Sequence, residues 1–297
     1  MGKKYVIFSD STCDLSREER IKYGIWPDVY QQSIIYDDEQ IDVEDADMFY
    51  DRLDSGDIGP GCLKTSSVGL QDAKCILDDI IRKTPTETTI VYAGVSAIMS
   101  SGTSQSVRLA MDYCIKEYPK RRFVFIDTQC ISNGLGTFLQ YLSQYEGNSI
   151  EDYAHDLGKH IVHLFTESDL SFSAKSGRYN IVERIAMMMI SFAHISPWMY
   201  FPSDDKLSMS GRVRRGDKIL HDWVNYYIEH VAEDNQFIRI GYGGRIAHQR
   251  AEKFVNLLEQ KAGVARECIQ LAHVSPVVGV HTGPTVLSFF FKQKEER

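Results

Sequence analysis

Short apolar runs alternate along the chain with stretches in which apolar residues recur every three or four positions, the pattern of strands interleaved with amphipathic helices. In the first half it predicts strands at residues 5–9, within 25–36, at 89–95 and at 122–127, with helices over 45–53, 69–82, 103–118 and 134–145. That order belongs to a parallel sheet covered by helices, in which the loops after the strands gather at one edge, the usual place for binding. A helix is expected over 150–164, and the spacing then changes. Strands are expected at 170–174, 198–201, 206–209 and 237–241, with helices over 217–233 and 247–261. The pattern therefore predicts an α/β protein with an N-terminal parallel-sheet domain over 1–160 and a second α/β domain over 161–297. Near the end, VVGVHTGP (277–284) reads as a buried strand closing on His281 and Thr282. A plain turn there would need only the glycine and the proline.

Composition narrows the function classes. Hydrophobic residues make up 43% of the 297, enough for a substantial core. Lys plus Arg number 33 against 41 Asp plus Glu, a net charge of -8 that repels nucleic-acid backbones and anionic membrane surfaces. The six cysteines form no CxxC pair, so reduced thiols in a cytoplasmic protein are expected rather than a disulfide framework or a zinc site. The first apolar segment ends at Asp10, too early for a secretory signal. The longest apolar run, 185–201, is broken by Ser191, His194, Ser196 and Pro197. It falls short of the roughly 20 residues that span a bilayer, so it is expected to be buried in protein, with no stable membrane insertion.

Three hydroxyl clusters each precede a helical pattern: Thr65-Ser66-Ser67, Ser100-Ser101-Gly102-Thr103, and Asp127-Thr128 with residues 132–136 beyond it. Any one of them reads most simply as a helix cap. If they converge, they make a ring of hydroxyl and amide donors suited to a carboxylate or phosphate, with Gly102 allowing close backbone approach. Arg178 could add a fixed cation, since guanidinium binds such anions through paired hydrogen bonds. The basic stretch GRVRRGDK, with Arg212, Arg214, Arg215 and Lys218, reads as a solvated loop or as a docking patch for an acidic or phosphorylated partner. His160 and His163, with His155 nearby, have helical metal-ligand spacing but no third ligand in register, so no metal is expected. GYGGR (241–245) lacks the GxGxxG frame and reads as a strand-to-helix turn. Ser96 follows an apolar strand as a nucleophile elbow would, with His281 as its base, but Ile98 stands where the elbow needs a small residue.

Seven segments in this order resemble the DegV family of bacterial fatty-acid-binding proteins: FSDSTCDL (8–15), KTSS (64–67), VSAIMSSGTSQSV (95–107), IDTQCISNGLG (126–136), SGR (176–178), ISP (195–197) and VGVHTGP (278–284). The resemblance implies two α/β domains with one long-chain fatty acid in a buried tunnel between them. It implies that Thr65, Ser66, Ser101, Gly102, Thr103, His281 and Thr282 hold the acyl carboxylate, and that a separate fatty acid kinase docks near Arg178; Arg214 and Arg215 of the basic stretch are expected to add to that docking surface. That kinase would form an acyl phosphate for phospholipid synthesis, so this chain needs no cofactor and does no catalysis. The run 185–201 would line the tunnel. Val68 stands where the family usually has proline, Ser104 where it often has an aromatic and Thr285 where it often has glycine. An extra residue in IMSSGT leaves both Ser100 and Ser101 as candidates for the ligand-facing hydroxyl. Two alternatives remain from the residues themselves, a serine hydrolase using Ser96 and His281 and a phosphotransfer subunit using His281.

Overall fold

The computed structural model describes residues 4–41, 45–175, 181–192, 195–200 and 208–294. In chain order the first elements are β1 (Tyr5–Phe8), α1 (Arg17–Tyr23), β2 (Ser33–Tyr36), β3 (Glu39–Ile41), α2 (Ala46–Ser55), β4 (Leu63–Ser66), α3 (Leu70–Lys83), β5 (Thr89–Gly94), α4 (Ser101–Glu117), β6 (Phe123–Asp127), α5 (Asn133–Leu142) and α6 (Ile150–His160). They are followed by β7 (Ile161–Thr166), α7 (Ser171–Lys175), α8 (Ile181–Phe192), β8 (Ile195–Tyr200), β9 (Ser208–Arg215), α9 (Lys218–His230), β10 (Ile238–Tyr242), α10 (Arg245–Ala262), β11 (Ile269–His273), α11 (Pro276–Thr282) and β12 (Leu287–Lys292). The chain divides into two compact units, Met1–Ser33 with Ser66–Lys159, and Ile34–Thr65 with His160–Arg297. The α/β class read from the sequence is the class observed.

The first unit is built on the parallel sheet β1-β5-β6. Helices α3 and α4 bury Leu77, Ile80, Val107, Ala110 and Met111 against Phe8, Tyr92 and Ile90 of the strands. Val68 is only 2% exposed and belongs to this same core, so packing holds its loop in place. Asp10 ties the strand ends together. Its Oδ1 accepts from Thr12 N at 3.0 Å and Thr12 Oγ1 at 2.6 Å, and its Oδ2 accepts from the Tyr92 hydroxyl at 2.8 Å and Val95 N at 2.9 Å. A fully buried carboxylate is tolerable here because four donors replace its water.

The second unit carries the sheet β11-β10-β12-β7-β8-β9, in which β10 and β11 are parallel and the other described pairings antiparallel. Helices α9 and α10 place Trp223, Val224, Phe254 and Leu258 on Phe289, Phe291 and Ile240 of that sheet. A smaller sheet, β3-β2-β4, belongs to the same unit.

Several expectations are corrected. Residues 34–65 do not pack within the expected 1–160 domain but with the second unit. The reason is α2, whose buried Phe49 and Tyr50 press against α11 at Gly279, and whose Asp54 accepts from Arg245 N at 2.7 Å at the start of α10. The helix expected over 150–164 stops at His160, because Ile161, Val162, Leu164 and Phe165 are all buried in a central strand flanked by β12 and β8. Residues 170–174 are not a strand: Asp169 Oδ1 accepts from Ser171 N at 2.9 Å and starts α7. The VVGV run is a helix, with Ser275 at its cap position and Pro276 in its first turn, so tertiary packing overrides the strand preference of valine. The basic stretch is strand rather than loop, since β9 pairs Arg214 with Ser196 and Arg215 with Ile195. The run 185–201 divides into the end of α8 and β8. Met187 is buried, whereas Ile185, Met188 and Met189 are 49, 54 and 69% exposed, so this run is only partly enclosed. No helix among the described residues is long and apolar enough to cross a membrane.

Candidate functional site

Two residues 216 positions apart meet in the second unit. Thr65, near the end of β4, places Oγ1 3.0 Å from His281 Nε2 in the last turn of α11, and both side chains are half-buried. Either partner can donate, depending on which ring nitrogen carries the proton. Thr282 follows, but its Oγ1 donates to Val278 O at 3.3 Å, one turn back on its own helix. Its proton must turn outward before it can serve an anion.

The turn ends at Gly283, with φ +72° and ψ −175°, a conformation open in practice only to glycine. A Cβ there would lie 2.4 Å from Cδ2 of the buried Phe172 ring. The glycine of HTGP is therefore required twice, by its backbone and by its neighbour.

Beneath this turn lies a group absent from the sequence reading. Glu167, immediately after β7, is 2% exposed, and its Oε1 and Oε2 lie 2.9 and 2.7 Å from Ser173 Oγ of α7. The same hydroxyl lies 3.3 Å from the His281 carbonyl oxygen. Burial, with a smaller push from the Asp169 charge, raises the Glu167 pKa to about 8, against which the Ser173 hydrogen bond works. No local motif announces this pair, whose members are six residues apart across a strand end and a helix.

In the first unit the other hydroxyl loops are arranged as follows. Ser100 stands at the cap position of α4 without a side-chain cap bond, and its Oγ donates to Thr103 Oγ1 at 2.9 Å. Ser101 opens the helix and is exposed, and Thr103 is buried. Two of the three expected clusters do approach each other: a Cβ on Gly102 would come 2.7 Å from Ser67 Oγ, so the absent side chain there is a condition of that approach. Ser66 ends β4 and is exposed.

The third cluster serves the fold instead. Thr128 Oγ1 donates to Gly94 O at 2.7 Å and accepts from Cys130 N at 3.1 Å, and Asp127 accepts from Ala97 N at 3.2 Å. These bonds tie the ends of β5 and β6 and leave that cluster little to offer an anion. Ser104, in α4, is buried.

Ser96 Oγ is buried and has no hydrogen-bond partner among the described residues, so none of them stands as a base to activate it. His160 closes α6 while His163 lies inside β7, which removes the helical spacing of a metal pair. Burial lowers the His163 pKa to about 3 and keeps the ring neutral. Among the described residues no three His, Cys, Asp or Glu side chains could hold a metal ion, and all six cysteines are free thiols. In GYGGR the first amide of α10 is taken by Asp54, which makes it a capped strand-to-helix turn. Of the expected docking cations, Arg178 lies outside the described residues. Arg214 Nε is 2.7 Å from Asp222 Oδ2 of α9, and Arg215 is the last residue of β9.

The family model described as "Uncharacterised protein, DegV family" matches residues 4–294. The DegV domain-containing protein YteA of Lactococcus lactis is 23% identical over 213 residues, 70% of this chain and 71% of that one. Among solved structures, a fatty-acid-binding DegV family protein from Thermus thermophilus matches with a TM-score of 0.78 at 19% identity, covering 98% of this chain and 100% of that one. A stearic-acid-binding protein from Eubacterium ventriosum matches with a TM-score of 0.78 at 20% identity, with 98% of each chain covered. With the family model spanning nearly its whole length, the chain belongs to the DegV family.

Proposed function

We propose that the protein binds a long-chain fatty acid in a buried tunnel and presents its carboxylate to a separate fatty acid kinase, without catalysis of its own. The observation that carries this reading is the Thr65 to His281 hydrogen bond, a half-buried hydroxyl and imidazole in a fold shared with proteins described as fatty-acid-binding. Each buried methylene is worth about 0.8 kcal/mol, so a sixteen-carbon tail offers on the order of 12 kcal/mol before ordering costs. A carboxylate buried without partners would cancel much of that gain, so it needs several donors. Thr65, His281 and Thr282 form one set, and Ser66, Ser101, Gly102 and Thr103 are the further groups that the family resemblance implies. The product is an acyl phosphate destined for phospholipid synthesis in the cytoplasm. Arg214 and Arg215 of β9 supply cationic docking positions for the kinase, together with Arg178.

Mass spectrometry of gently extracted protein tests this reading. A co-purifying fatty acid that is lost in Thr65→Val and His281→Ala supports it. Covalent labelling of Ser96 by a fluorophosphonate, or a phosphohistidine at position 281, refutes it.

A further inference from the structure

Ser173 Oγ has one proton to give, yet it lies within hydrogen-bond distance of three acceptor oxygens, both carboxyl oxygens of Glu167 and the carbonyl of His281. An ionised Glu167 would draw that proton to itself and leave the His281 carbonyl unserved by Ser173. A neutral Glu167 orders the contacts, because its own O–H points at Ser173 Oγ and frees the serine proton for the carbonyl.

We propose that Glu167 is a positioning residue for the head site: its protonated carboxyl donates to Ser173, Ser173 donates to the His281 carbonyl, and this chain fixes the last turn of α11 so that the His281 ring faces Thr65.

The geometry gives the relay a purpose. The last four carbonyls of a helix have no partner within it, and His281 is the penultimate residue of α11. A donor from α7 anchors that end from below while the ring is held by Thr65 from β4. Gly283 N donates to Gly279 O at 2.7 Å and closes the turn on its other side. Among the described residues the charged group that acts on Glu167 is Asp169, two positions on in the same loop, and it favours the neutral carboxyl. The ordinary role of a carboxylate, accepting from several donors as Asp10 does, is not met at Glu167, whose side-chain partner among the described residues is the single Ser173 hydroxyl. The neutral state is consistent with a carboxyl that titrates near pH 8.

The inference rests on the fatty-acid reading for its purpose, and its test separates the two. The His281 imidazole signals, assigned by their absence in His281→Ala, are followed by NMR from pH 6 to 9.5 in ligand-free protein, with palmitate affinity measured in parallel. The expected result is a step in the His281 signals centred near pH 8 in the wild type. That step disappears in Glu167→Gln, whose amide N–H replaces the carboxyl O–H at every pH. Ser173→Ala shifts the His281 signals at neutral pH, and Glu167→Ala weakens palmitate binding about tenfold, the scale of one lost hydrogen bond. A step that persists unchanged in Glu167→Gln, or His281 signals indifferent to Ser173→Ala, overturns the proposal. If the step behaves as expected while wild-type protein binds no palmitate, positioning stands and the fatty-acid reading fails.

Discussion

Replacing Gly283 by alanine puts the HTGP turn under two separate loads. The residue sits at φ +72° and ψ −175°, where a non-glycine backbone costs about 1–3 kcal/mol. The new Cβ also arrives 2.4 Å from Phe172 Cδ2 and 2.7 Å from its Cγ, against a ring that is itself buried. Forcing such a contact costs a further 1–3 kcal/mol or so. The sum, about 2–6 kcal/mol, is a large share of the roughly 5–15 kcal/mol that holds a typical domain folded. Gly263 provides the internal control. It too has a positive φ, +68°, but a Cβ there meets nothing within 4 Å, so Gly263→Ala carries only the backbone cost of about 1–2 kcal/mol. Thermal and urea denaturation followed by circular dichroism should show Gly283→Ala losing on the order of 10 °C in Tm and Gly263→Ala only a few degrees. Equal shifts in the two variants would mean that the Phe172 contact and the special backbone of the turn have been misjudged.

Two buried groups give the second unit opposing pH dependences. Glu167 has its pKa raised from 4.5 to about 8, so its neutral form is favoured by folding; its contribution is complete below pH 4.5 and drains away as pH rises towards 8. His163 has its pKa lowered from 6.5 to about 3, so its contribution is complete above pH 6.5 and drains away as pH falls towards 3. Between pH 4.5 and 6.5 the two slopes oppose each other, and urea midpoints should be nearly flat there, falling on either side; Glu167→Gln should remove the alkaline fall alone. Thr65→Val should weaken palmitate binding by about tenfold or more, read by calorimetry, since it deletes the hydroxyl facing His281. Asp10→Asn should destabilise the first unit by about 2–4 kcal/mol in chemical denaturation, because its amide nitrogen must confront two of the four present donors.

What could be read in advance followed the reach of each signal. Strands β1, β5 and β6 and helices α3, α4, α9 and α10 were legible because their apolar positions keep one period from end to end. Residues 150–164 misled because Ile161, Val162 and Leu164 continue a helical spacing while serving a strand buried on both faces, where periodicity carries no information. Valines 277, 278 and 280 misled because their helix is decided by Pro276 and by the α2 rings against it, both external to strand propensity. The site divides in the same way. Thr65 and His281, which the fold brings together, lie in motifs tied to a strand end and a helix end. Glu167 and Ser173 were silent, since a buried glutamate is written with the same letter as a surface one.

The grouping of residues 34–65 with the second unit sets a timetable for the nascent polypeptide. Phe49 and Tyr50 need α11 as their cover, and α11 leaves the ribosome more than two hundred codons after they do. At about 5–20 residues per second, that early segment waits on the order of 10–40 s with its aromatic face unsheltered. A stalled or prematurely terminated message would thus release a product whose first third carries a sticky surface that nothing downstream will ever close over, a natural handle for chaperones and proteases.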